Sequence, residues 1–429
     1  IHKIDHNDRT QILKGVFIVK KLLLLIVISI AAISLAVTEI TFWYALSGVS
    51  GESIKSIIDA FNASQSDIIV KTVYSGSYAD TAQKITAALA ANTLPNGGII
   101  PAGPIFTGAQ DNYVLLDYML ADPEFDMDDF YPAMWDYSKY QGKICAIPFN
   151  ISTPIFYYNK DLMRASGLDP ENPPQNWEEL LTAAKAITKD TNGDGVPDIW
   201  GVDMADAPWI FKAFLLQNEN NIIDVATMTP LFDNARGIET AQFWKRLIDE
   251  KAMPVGQHSL AEKMFLGGTL GFYLGSSNRI GRWLGTTSFE FGATFLPAGV
   301  VRAVPIGGAV AVLFPKNKKE DEATYRLIKW LTTPENVAKF AMETGYLPTR
   351  KSALELPETQ QFMESAPMWR VAFEQLTFAF SYWHFNEMGT MDTMIAEALE
   401  KIERGVSSPA DAMRELTRNL KAEIEANLE

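Results

Sequence analysis

Strands and helices alternate along the first part of the sequence, and this alternation constrains the fold more than any other feature. The run Ile40–Tyr44 is short, apolar and aromatic, which is typical of a strand. After a loop rich in Gly and Ser, apolar residues recur at the spacing of one helix face, at Ile54, Ile57, Ile58 and Phe61. A second strand at 68–74 and a second helical stretch repeat this unit. The order predicts an α/β sheet whose ligand site lies beyond the strand ends, where helix N-termini point.

The length and charge of the chain limit the functions open to it. The 429 residues predict two or three domains, at roughly 100–200 residues per domain. Lys and Arg number 37 against 52 Asp and Glu, which gives a formal net charge of −15. Proteins bind nucleic acid through clustered basic side chains that release counterions. We therefore expect no nucleic acid partner.

An apolar segment near the N-terminus predicts export of the protein. It follows the basic pair at Lys20 and Lys21 and has the small residues Ser34 and Ala36 near its end. This pattern is that of a secretory signal peptide, and we expect cleavage after Ala36, with the residues before Lys20 as an upstream extension. The alternative is an uncleaved membrane anchor, although the apolar run is shorter than the roughly 20 residues that a spanning helix needs.

The single cysteine adds to this prediction. Cys145 is the only Cys in the chain, so no intramolecular disulfide can form. No Cys follows the apolar segment, which by sequence excludes a lipid-modified N-terminal Cys. We expect a periplasmic or extracellular protein that is not a lipoprotein and is stabilised by core burial alone.

The character of the sequence changes around residue 148. Pro148 and Pro154 bracket a polar turn that leads into a β-rich aromatic run, as expected of a strand that crosses between two lobes. Asn176, with Glu179 three residues later, is a predicted helix N-cap. The C-terminal third is predicted to be mostly helical, with Ser408 as another N-cap.

One short loop has the spacing of a calcium site. Residues 190–198 place oxygen side chains at loop positions 1, 3, 5 and 9, a backbone carbonyl at position 7 and Gly at position 6. The predicted ligands are Asp190, Asn192, Asp194, Val196 and Asp198. Position 12, where an EF-hand has its bidentate Glu, is Gly201. A structural calcium ion and a plain turn capped by Asp and Asn side chains are both open.

No catalytic motif stands out. The sequence has no G-x-S-x-G elbow, no phosphate-binding P-loop and no H-E-x-x-H helix. Paired carboxylates of a secreted glycosidase stay open as an alternative, because their separation is a three-dimensional property. We predict that the protein is not an enzyme and requires no cofactor.

Several aromatic and small residues have the local sequence of ligand-binding loops. Trp209 follows Ala207–Pro208, and Tyr346 lies between Gly345 and Pro348, so both are predicted as loop aromatics. Ser276 ends a predicted strand, and the Gly307–Gly308 pair allows close backbone approach to a ligand.

These segments together resemble the extracellular solute-binding proteins of ATP-driven importers. The sugar-binding cluster is most similar, and within it the glycerol-3-phosphate-binding branch. The most specific segments are Pro148–Asn150 with Ser152–Pro154, Tyr157–Asp161, Gly167–Pro170, Gly307–Gly308 and Thr344–Pro348. They occur in the family's order and cover nearly the whole chain after the signal.

The resemblance implies a type II periplasmic-binding-protein-like fold with two α/β lobes, a ligand cleft between them and hinge crossings. Residues 1–36 would be extension and signal, 37–152 with 296–345 the first lobe, and 153–295 with 346–429 the second. A membrane permease would be the protein partner, and the receptor would be a monomer.

The resemblance also implies the residues of a ligand site, and this sequence departs from the glycerol-3-phosphate binders at two positions. The matching positions are Tyr78, Ser152, Trp209, Ser276, Gly308 and Tyr346. Ala102 stands where the glycerol-3-phosphate binders carry an acid, and Asp392 stands where they carry an arginine. An arginine is the natural bidentate partner of phosphate, which a nearby carboxylate repels. We therefore expect a neutral sugar or small oligosaccharide, with Asp392 contacting hydroxyl groups. Glycerol-3-phosphate or a glycerophosphodiester is the alternative, with Arg279 or Arg282 as its cation.

Overall fold

A computed structural model describes residues 37–102, 114–140, 142–224, 227–381 and 388–428. The predicted signal peptide, in residues 1–36, lies outside these described residues. Within the described ranges, no helix has both the length and the apolar character needed to cross a membrane.

The strands follow one another along the chain as β1 Thr38–Tyr44, β2 Ile68–Tyr74, β3 Gly97–Pro101, β4 Lys139–Tyr140, β5 Lys143–Ile144, β6 Ile147–Ser152, β7 Pro154–Asn159, β8 Trp200–Met204, β9 Ile223–Asp224, β10 Thr229–Pro230, β11 Leu270–Ser276, β12 Phe291–Thr294, β13 Val304–Pro305, β14 Gly307–Leu313 and β15 Ala379–Phe380.

The α-helices are α1 Gly48–Ser64, α2 Tyr78–Ala90, α3 Val114–Ala121, α4 Pro132–Tyr137, α5 Lys160–Ala165, α6 Trp177–Ile187, α7 Ala207–Gln217, α8 Ala235–Asp249, α9 Ala261–Leu266, α10 Arg279–Trp283, α11 Lys318–Leu331, α12 Pro334–Thr344, α13 Pro357–Ser365, α14 Pro367–Glu374, α15 Met388–Glu403 and α16 Pro409–Leu428. Short 3-10 turns cover His258–Leu260, Ser352–Leu354 and Gln375–Phe378.

The first lobe is built on a mixed sheet with the strand order β2-β1-β3-β14-β6. Strands β1, β2 and β3 are parallel, as the alternation of strands and helices predicts. Strand β14 comes from much later in the chain and runs antiparallel to both of its neighbours, β3 and β6. Helices α1 and α11 pack on this sheet, and the apolar residues of α1 that the helical spacing predicts lie in its core.

The second lobe is built on a separate sheet with the order β12-β7-β11-β8. Strand β7 is antiparallel to β11 and β12, whereas β11 and β8 are parallel. Its core also takes in the C-terminal helices α15 and α16, which pack against α7 and α8. Two sheets with helices on them confirm the predicted two-lobe α/β fold class.

The chain passes between the sheets at three places. Thr153 is the one residue between β6 and β7. The second passage lies between the end of β12 at Thr294 and the start of β14 at Gly307. The third follows α12, where Leu347 N–H donates to Ile151 O at 2.9 Å. The first and third passages therefore lie side by side, while the lobe boundaries in residue numbers stay a prediction.

The two N-caps that the sequence predicts are confirmed. Asn176 Oδ1 accepts a hydrogen bond from Glu179 N at 3.0 Å and starts α6. Ser408 Oγ accepts from Asp411 N at 3.2 Å, and Pro409 is the first residue of α16. Each cap satisfies one of the N–H groups that a helix start leaves without an intrahelical partner.

A buried ionic cluster fastens the C-terminal end of α15 to the core of the second lobe. His258 Nδ1 lies 2.6 Å from Asp203 Oδ1, and His258 Nε2 lies 2.8 Å from Glu403 Oε1. Glu403 also accepts from Trp244 Nε1 and from Gly256 N, both at 2.9 Å. Burial alone would lower the pKa of His258, but its two carboxylate partners outweigh burial and raise the pKa to about 10. We call His258, Asp203 and Glu403 the histidine cluster.

Candidate functional site

The first-lobe side of the interlobe region is a group of aromatic and amide side chains at the ends of β6 and β14. Tyr78 is the first residue of α2, and its hydroxyl accepts a hydrogen bond from Asn150 Nδ2 at 3.0 Å. Asn150 is fully buried, and its Oδ1 has no partner among the described residues. Burial first, and then the neighbouring Tyr346, raise the pKa of the Tyr78 phenol well above its ordinary value. Tyr78 therefore stays a neutral hydroxyl at physiological pH.

The backbone conformation and the close packing at position 308 require glycine. Its φ is +119°, and a Cβ there would lie 1.8 Å from Asn150 O. The Gly308 carbonyl accepts a hydrogen bond from the Tyr137 hydroxyl at 3.0 Å. The predicted close approach at Gly308 is thus an approach to strand β6, with the ladder register shifting just after it, between Ala309 and Val310.

Trp209 of the second lobe packs on Gly307 of the first lobe. A Cβ at Gly307 would lie 2.8 Å from Trp209 Cζ2, so the indole packs directly on this part of β14. The prediction that Trp209 is a loop aromatic is wrong, because it lies in the first turn of α7. Pro208 does not prevent this helix, since proline is tolerated in the first turn. The indole Nε1 is buried and has no partner among the described residues.

Asp206 is the N-cap of α7 and was not predicted as a site residue. Its Oδ1 accepts from Trp209 N at 3.4 Å, so the same carboxylate that caps the helix also positions the tryptophan. The side chain is exposed to solvent, yet burial is the first cause of its raised pKa, followed by Asp392. A side chain that solvent reaches but protein surrounds is the expected state of a group on the wall of a concave cleft.

Asp392 lies on α15 and forms an ion pair that the sequence did not predict. Its Oδ1 is 2.6 Å from the Nζ of Lys212, whose side chain is only 1% exposed. Lys212 lies on α7, the helix that carries Trp209. The pair therefore neutralises a buried ammonium close to the cleft, while the Asp392 side chain is 41% exposed.

The arginines predicted as phosphate partners already form ion pairs with a carboxylate. Arg279 Nη2 lies 3.1 Å from Glu262 Oε2, and Arg282 Nη2 lies 3.5 Å from Glu262 Oε1. Lys212 has its carboxylate at Asp392. Asp206, in contrast, forms no ion pair within the described part of the chain. Three carboxylates, Asp206, Asp392 and Glu262, therefore face three cations, Lys212, Arg279 and Arg282, and the formal charges of this wall balance.

The other predicted ligand residues lie near the passages between the lobes. Ser152 is buried at the end of β6 and pairs with Gly307, and Ser276 ends β11 opposite Pro154. Tyr346 is buried directly after α12 and stacks on Phe340, with ring centroids 5.8 Å apart and an interplanar angle of 21°. One face of Tyr346 is thus occupied by protein. The structure brings these residues to the same interlobe region as Trp209 and Gly308, and their roles in binding stay predictions.

Ala102, the first departure from the glycerol-3-phosphate binders, is 1% exposed. It belongs to an apolar core that includes residues from both lobes, such as Ile100 and Tyr157. An uncharged side chain suits this environment, since burying an unpaired carboxylate costs free energy.

The family model described as "Bacterial extracellular solute-binding protein" matches residues 56–367. The chain belongs to the bacterial extracellular solute-binding proteins. It is a substrate-binding receptor of an ABC importer, and the receptors of this family are binding proteins of transporters.

Relatives of this solute-binding protein are similar along almost their whole length. The sn-glycerol-3-phosphate-binding periplasmic protein UgpB of Yersinia pseudotuberculosis is 28% identical over 412 residues, which covers 90% of this chain and 92% of the relative. The protein of the same name from Salmonella typhimurium is 26% identical over 402 residues, 89% of this chain and 91% of its own.

Solved structures of solute-binding proteins have the same fold. The cyclic alpha-maltosyl-1,6-maltose binding protein of Arthrobacter globiformis has a TM-score of 0.76 at 26% identity and covers 90% of this chain and 98% of its own. UgpB from Mycobacterium tuberculosis, in complex with glycerophosphocholine, has a TM-score of 0.78 at 24% identity and covers 91% and 99%. These similarities confirm the two-lobe solute-binding fold.

In the predicted calcium loop of this solute-binding protein, the side-chain oxygens of Asp190 and Asp198 accept hydrogen bonds from groups within the loop. Asp190 accepts hydrogen bonds from the backbone N–H groups of Gly193 and Gly195, and Asp198 accepts from Thr191 and from Asn192 Nδ2. Among the described residues, no three His, Cys, Asp or Glu side chains are grouped so that they could hold a metal ion. Calcium stays a prediction, and melting curves with excess calcium and with chelator test it.

Proposed function

We propose that this receptor captures a neutral sugar or small oligosaccharide between its lobes and delivers it to a membrane permease without catalysing a reaction. The observation that carries the proposal is the carboxylate of Asp206, which stands on the second-lobe wall without an ion pair among the described residues. Lys212 and Arg279 each have a carboxylate partner, whereas Asp206 has no cation of its own among the described residues. A carboxylate in a cleft is a strong acceptor for sugar hydroxyl groups.

Neighbouring polar groups supply complementary contacts for such a ligand. Trp209 Nε1 can only donate a hydrogen bond, whereas Asn150 Oδ1 can only accept one, and both are buried without a partner in the described part of the chain. A buried polar atom of this kind is costly unless a ligand or water satisfies it. Sugar hydroxyls both donate and accept, so one ligand class can satisfy both atoms.

Glycerol-3-phosphate or a glycerophosphodiester is the second candidate. It is favoured by the relatives named sn-glycerol-3-phosphate-binding proteins, which are similar over 90% of this chain. A phosphate, however, would have to displace Glu262 from Arg279 or Asp392 from Lys212, and Asp206 would repel it. A neutral ligand leaves these ion pairs intact and is not repelled by Asp206, which favours it over the phosphate.

The mechanism that we propose is closure of the two lobes about their three passages. Contacts from both lobes make the closed state the better binder, which is the differential affinity that shifts the population. The closed face would then dock on the permease. In the same proposal the protein is exported, is not a lipoprotein, acts as a monomer, requires no cofactor and binds no nucleic acid.

A calorimetric panel tests the ligand class. It should contain monosaccharides, disaccharides, maltooligosaccharides, polyols, glycerol-3-phosphate and glycerophosphocholine. We expect at least one neutral carbohydrate to bind with a Kd in the micromolar range, about −8 kcal/mol. Micromolar binding of a phosphorylated ligand together with failure of every neutral one would overturn the carbohydrate proposal.

Incubation with the same oligosaccharides tests the absence of catalysis. A receptor leaves the sugar intact and gains melting temperature from it by linkage. A glycosidase releases smaller sugars, which chromatography detects. Release that scales with protein concentration would contradict the receptor without catalysis.

We predict that Asp206→Asn lowers carbohydrate affinity by about 10- to 100-fold, because a hydrogen bond to a charged group contributes about 1.5–3 kcal/mol. Asparagine is as good an N-cap as aspartate, so α7 and Trp209 should keep their positions. Titration calorimetry measures the affinity, and circular dichroism checks the fold.

Asp411→Asn is the matched control. Asp411 is an exposed aspartate in the first turn of α16, and it accepts from the Ser408 hydroxyl. Removing its charge changes the net charge of the protein equally but leaves the cleft intact. Equal loss of affinity in both variants would mean that Asp206 has no special role in the site.

A further inference from the structure

One buried amide side chain joins two of the three passages between the lobes. Gln375 is 2% exposed and begins the short turn Gln375–Phe378 after α14. Its Nε2 donates to the Thr153 hydroxyl at 3.1 Å and to the Pro154 carbonyl. Its Oε1 accepts from Leu296 N at 3.0 Å. Thr153 is the first passage, Pro154 begins β7 directly after it, and Leu296 lies at the start of the second passage.

The first passage is also held by neighbours that reach it from elsewhere. Ser277 N donates to Thr153 O at 2.9 Å, which ties the passage to the end of β11. Leu347 N donates to Ile151 O at 2.9 Å, which ties it to the third passage. Gln375 forms hydrogen bonds through one side chain to Thr153 and Pro154 at the first passage and to Leu296 at the second.

The lobes are in contact in the arrangement that these bonds hold. Trp209 packs on Gly307, and a Cβ at Gly281 of α10 would lie 3.1 Å from the Cα of Gly345, at the third passage. A rotation of one lobe against the other must change the torsion angles of the passages. Thr153 and Leu296 lie just beyond the last pair of the β7–β12 ladder, Phe156 with Thr294, so we expect such a change to reach the residues that the amide holds.

We propose that Gln375 is a positioning residue for ligand binding: its amide clips the first and second passages together and stabilises the lobe arrangement described above against opening. This inference rests on the proposed function, binding by closure of the lobes. Gln375 need not touch the ligand. It acts on affinity through the fraction of molecules whose lobes are already placed to bind.

Two substitutions separate the parts of the clip. Gln375→Leu removes all three hydrogen bonds and leaves a donor and two acceptors without their partner. Gln375→Glu keeps the acceptor for Leu296 N and, because burial favours the protonated carboxyl, one donor for the Pro154 carbonyl. We expect carbohydrate affinity to fall by about 5- to 30-fold in Gln375→Leu, and by less in Gln375→Glu.

Pulsed electron paramagnetic resonance on the ligand-free protein measures the lobe arrangement directly. Spin labels at Gln83→Cys on α2 and Asn419→Cys on α16 report one lobe each, and both sites are exposed. We expect the distance distribution to broaden and to shift in Gln375→Leu. Gln375→Glu should lie between this variant and the parent.

Asn220→Leu is the matched control. Asn220 is a buried amide that bonds Leu231 O and Asn234, all within the second lobe. It should lower stability but leave the interlobe distances as in the parent. An unchanged distribution in Gln375→Leu, or the same broadening in Asn220→Leu, would overturn the clip. Because this readout needs no ligand, failure of every sugar to bind would contradict the proposed function but not the proposed role of Gln375.

Discussion

His258→Leu is expected to lower the free energy of unfolding by about 3–5 kcal/mol near pH 6, the cost of removing one partner from a buried ion pair. Asp203 is fully buried, and without His258 its carboxylate and Glu403 Oε1 would each lose a charged partner. Chemical denaturation of parent and variant, followed by tryptophan fluorescence and by circular dichroism, measures the loss.

The same cluster predicts how stability depends on pH. The folded pKa of His258, about 10, lies above the ordinary 6.5, so its contribution is complete below about pH 6.5 and is lost as the pH rises toward 10. Burial would raise the pKa of Glu403, but the hydrogen bonds and charge of its partners, His258 first among them, outweigh burial and lower it, so its contribution is present above its ordinary pKa and is lost as the pH falls. The pKa of Asp203 is raised because of burial, so its own contribution is present below its ordinary pKa and is lost as the pH rises. The parent should therefore be most stable on the mildly acidic side of neutrality.

Gln257→Ala is the control for the histidine substitution. Gln257 is the exposed neighbour of His258 and takes no part in the cluster. It should leave both the stability and its pH profile unchanged. If His258→Leu keeps the parent's fall in stability between about pH 6.5 and pH 10, another group is responsible for that fall.

Gly308→Ala is expected to cost more than about 3 kcal/mol of stability and to abolish ligand binding. The new Cβ would lie 1.8 Å from Asn150 O at a φ of +119°, so strands β6 and β14 must separate or shift register. That movement displaces Asn150 and the Tyr78 hydroxyl, which are part of the candidate site. Denaturation and calorimetry on the same preparation measure both losses.

Gly405→Ala shows what the backbone conformation alone contributes. Gly405 also has a positive φ, +68°, but nothing lies within 4 Å of the added Cβ. Its cost should be about 1 kcal/mol. Similar costs at Gly308 and Gly405 would mean that the contact with Asn150 is relieved easily and that β6 is not displaced.

Local patterns predicted much of the fold. The strands β1 and β2, the helix face from Ile54 to Phe61 and the caps at Asn176 and Ser408 depend on residues close together in sequence, and the structure has them. The resemblance to solute-binding proteins added the pairing of distant segments, which periodicity cannot supply.

The ion pairs of the candidate site could not be predicted from local sequence patterns. Lys212 and Asp392 are 180 positions apart and meet only because α15 packs on α7. Glu262 and Arg279 lie on α9 and α10, with strand β11 between them in the sequence, so local patterns do not show that they pair. The local signal that could have revealed Asp206 was present, since an aspartate before Ala207–Pro208 is a helix N-cap followed by a first-turn proline. The loop prediction for Trp209 missed that signal.

The place of β14 in the first sheet has a consequence for how the protein folds. This strand, Gly307–Leu313, sits between β3 and β6, so both of those strands keep an open edge until it arrives. Contacts of such long sequence separation form slowly, because the loop between them must close first. Open strand edges pair readily with other chains. We expect refolding of the first lobe to be slow and prone to aggregation at high protein concentration, and chains that end before residue 307 to be insoluble.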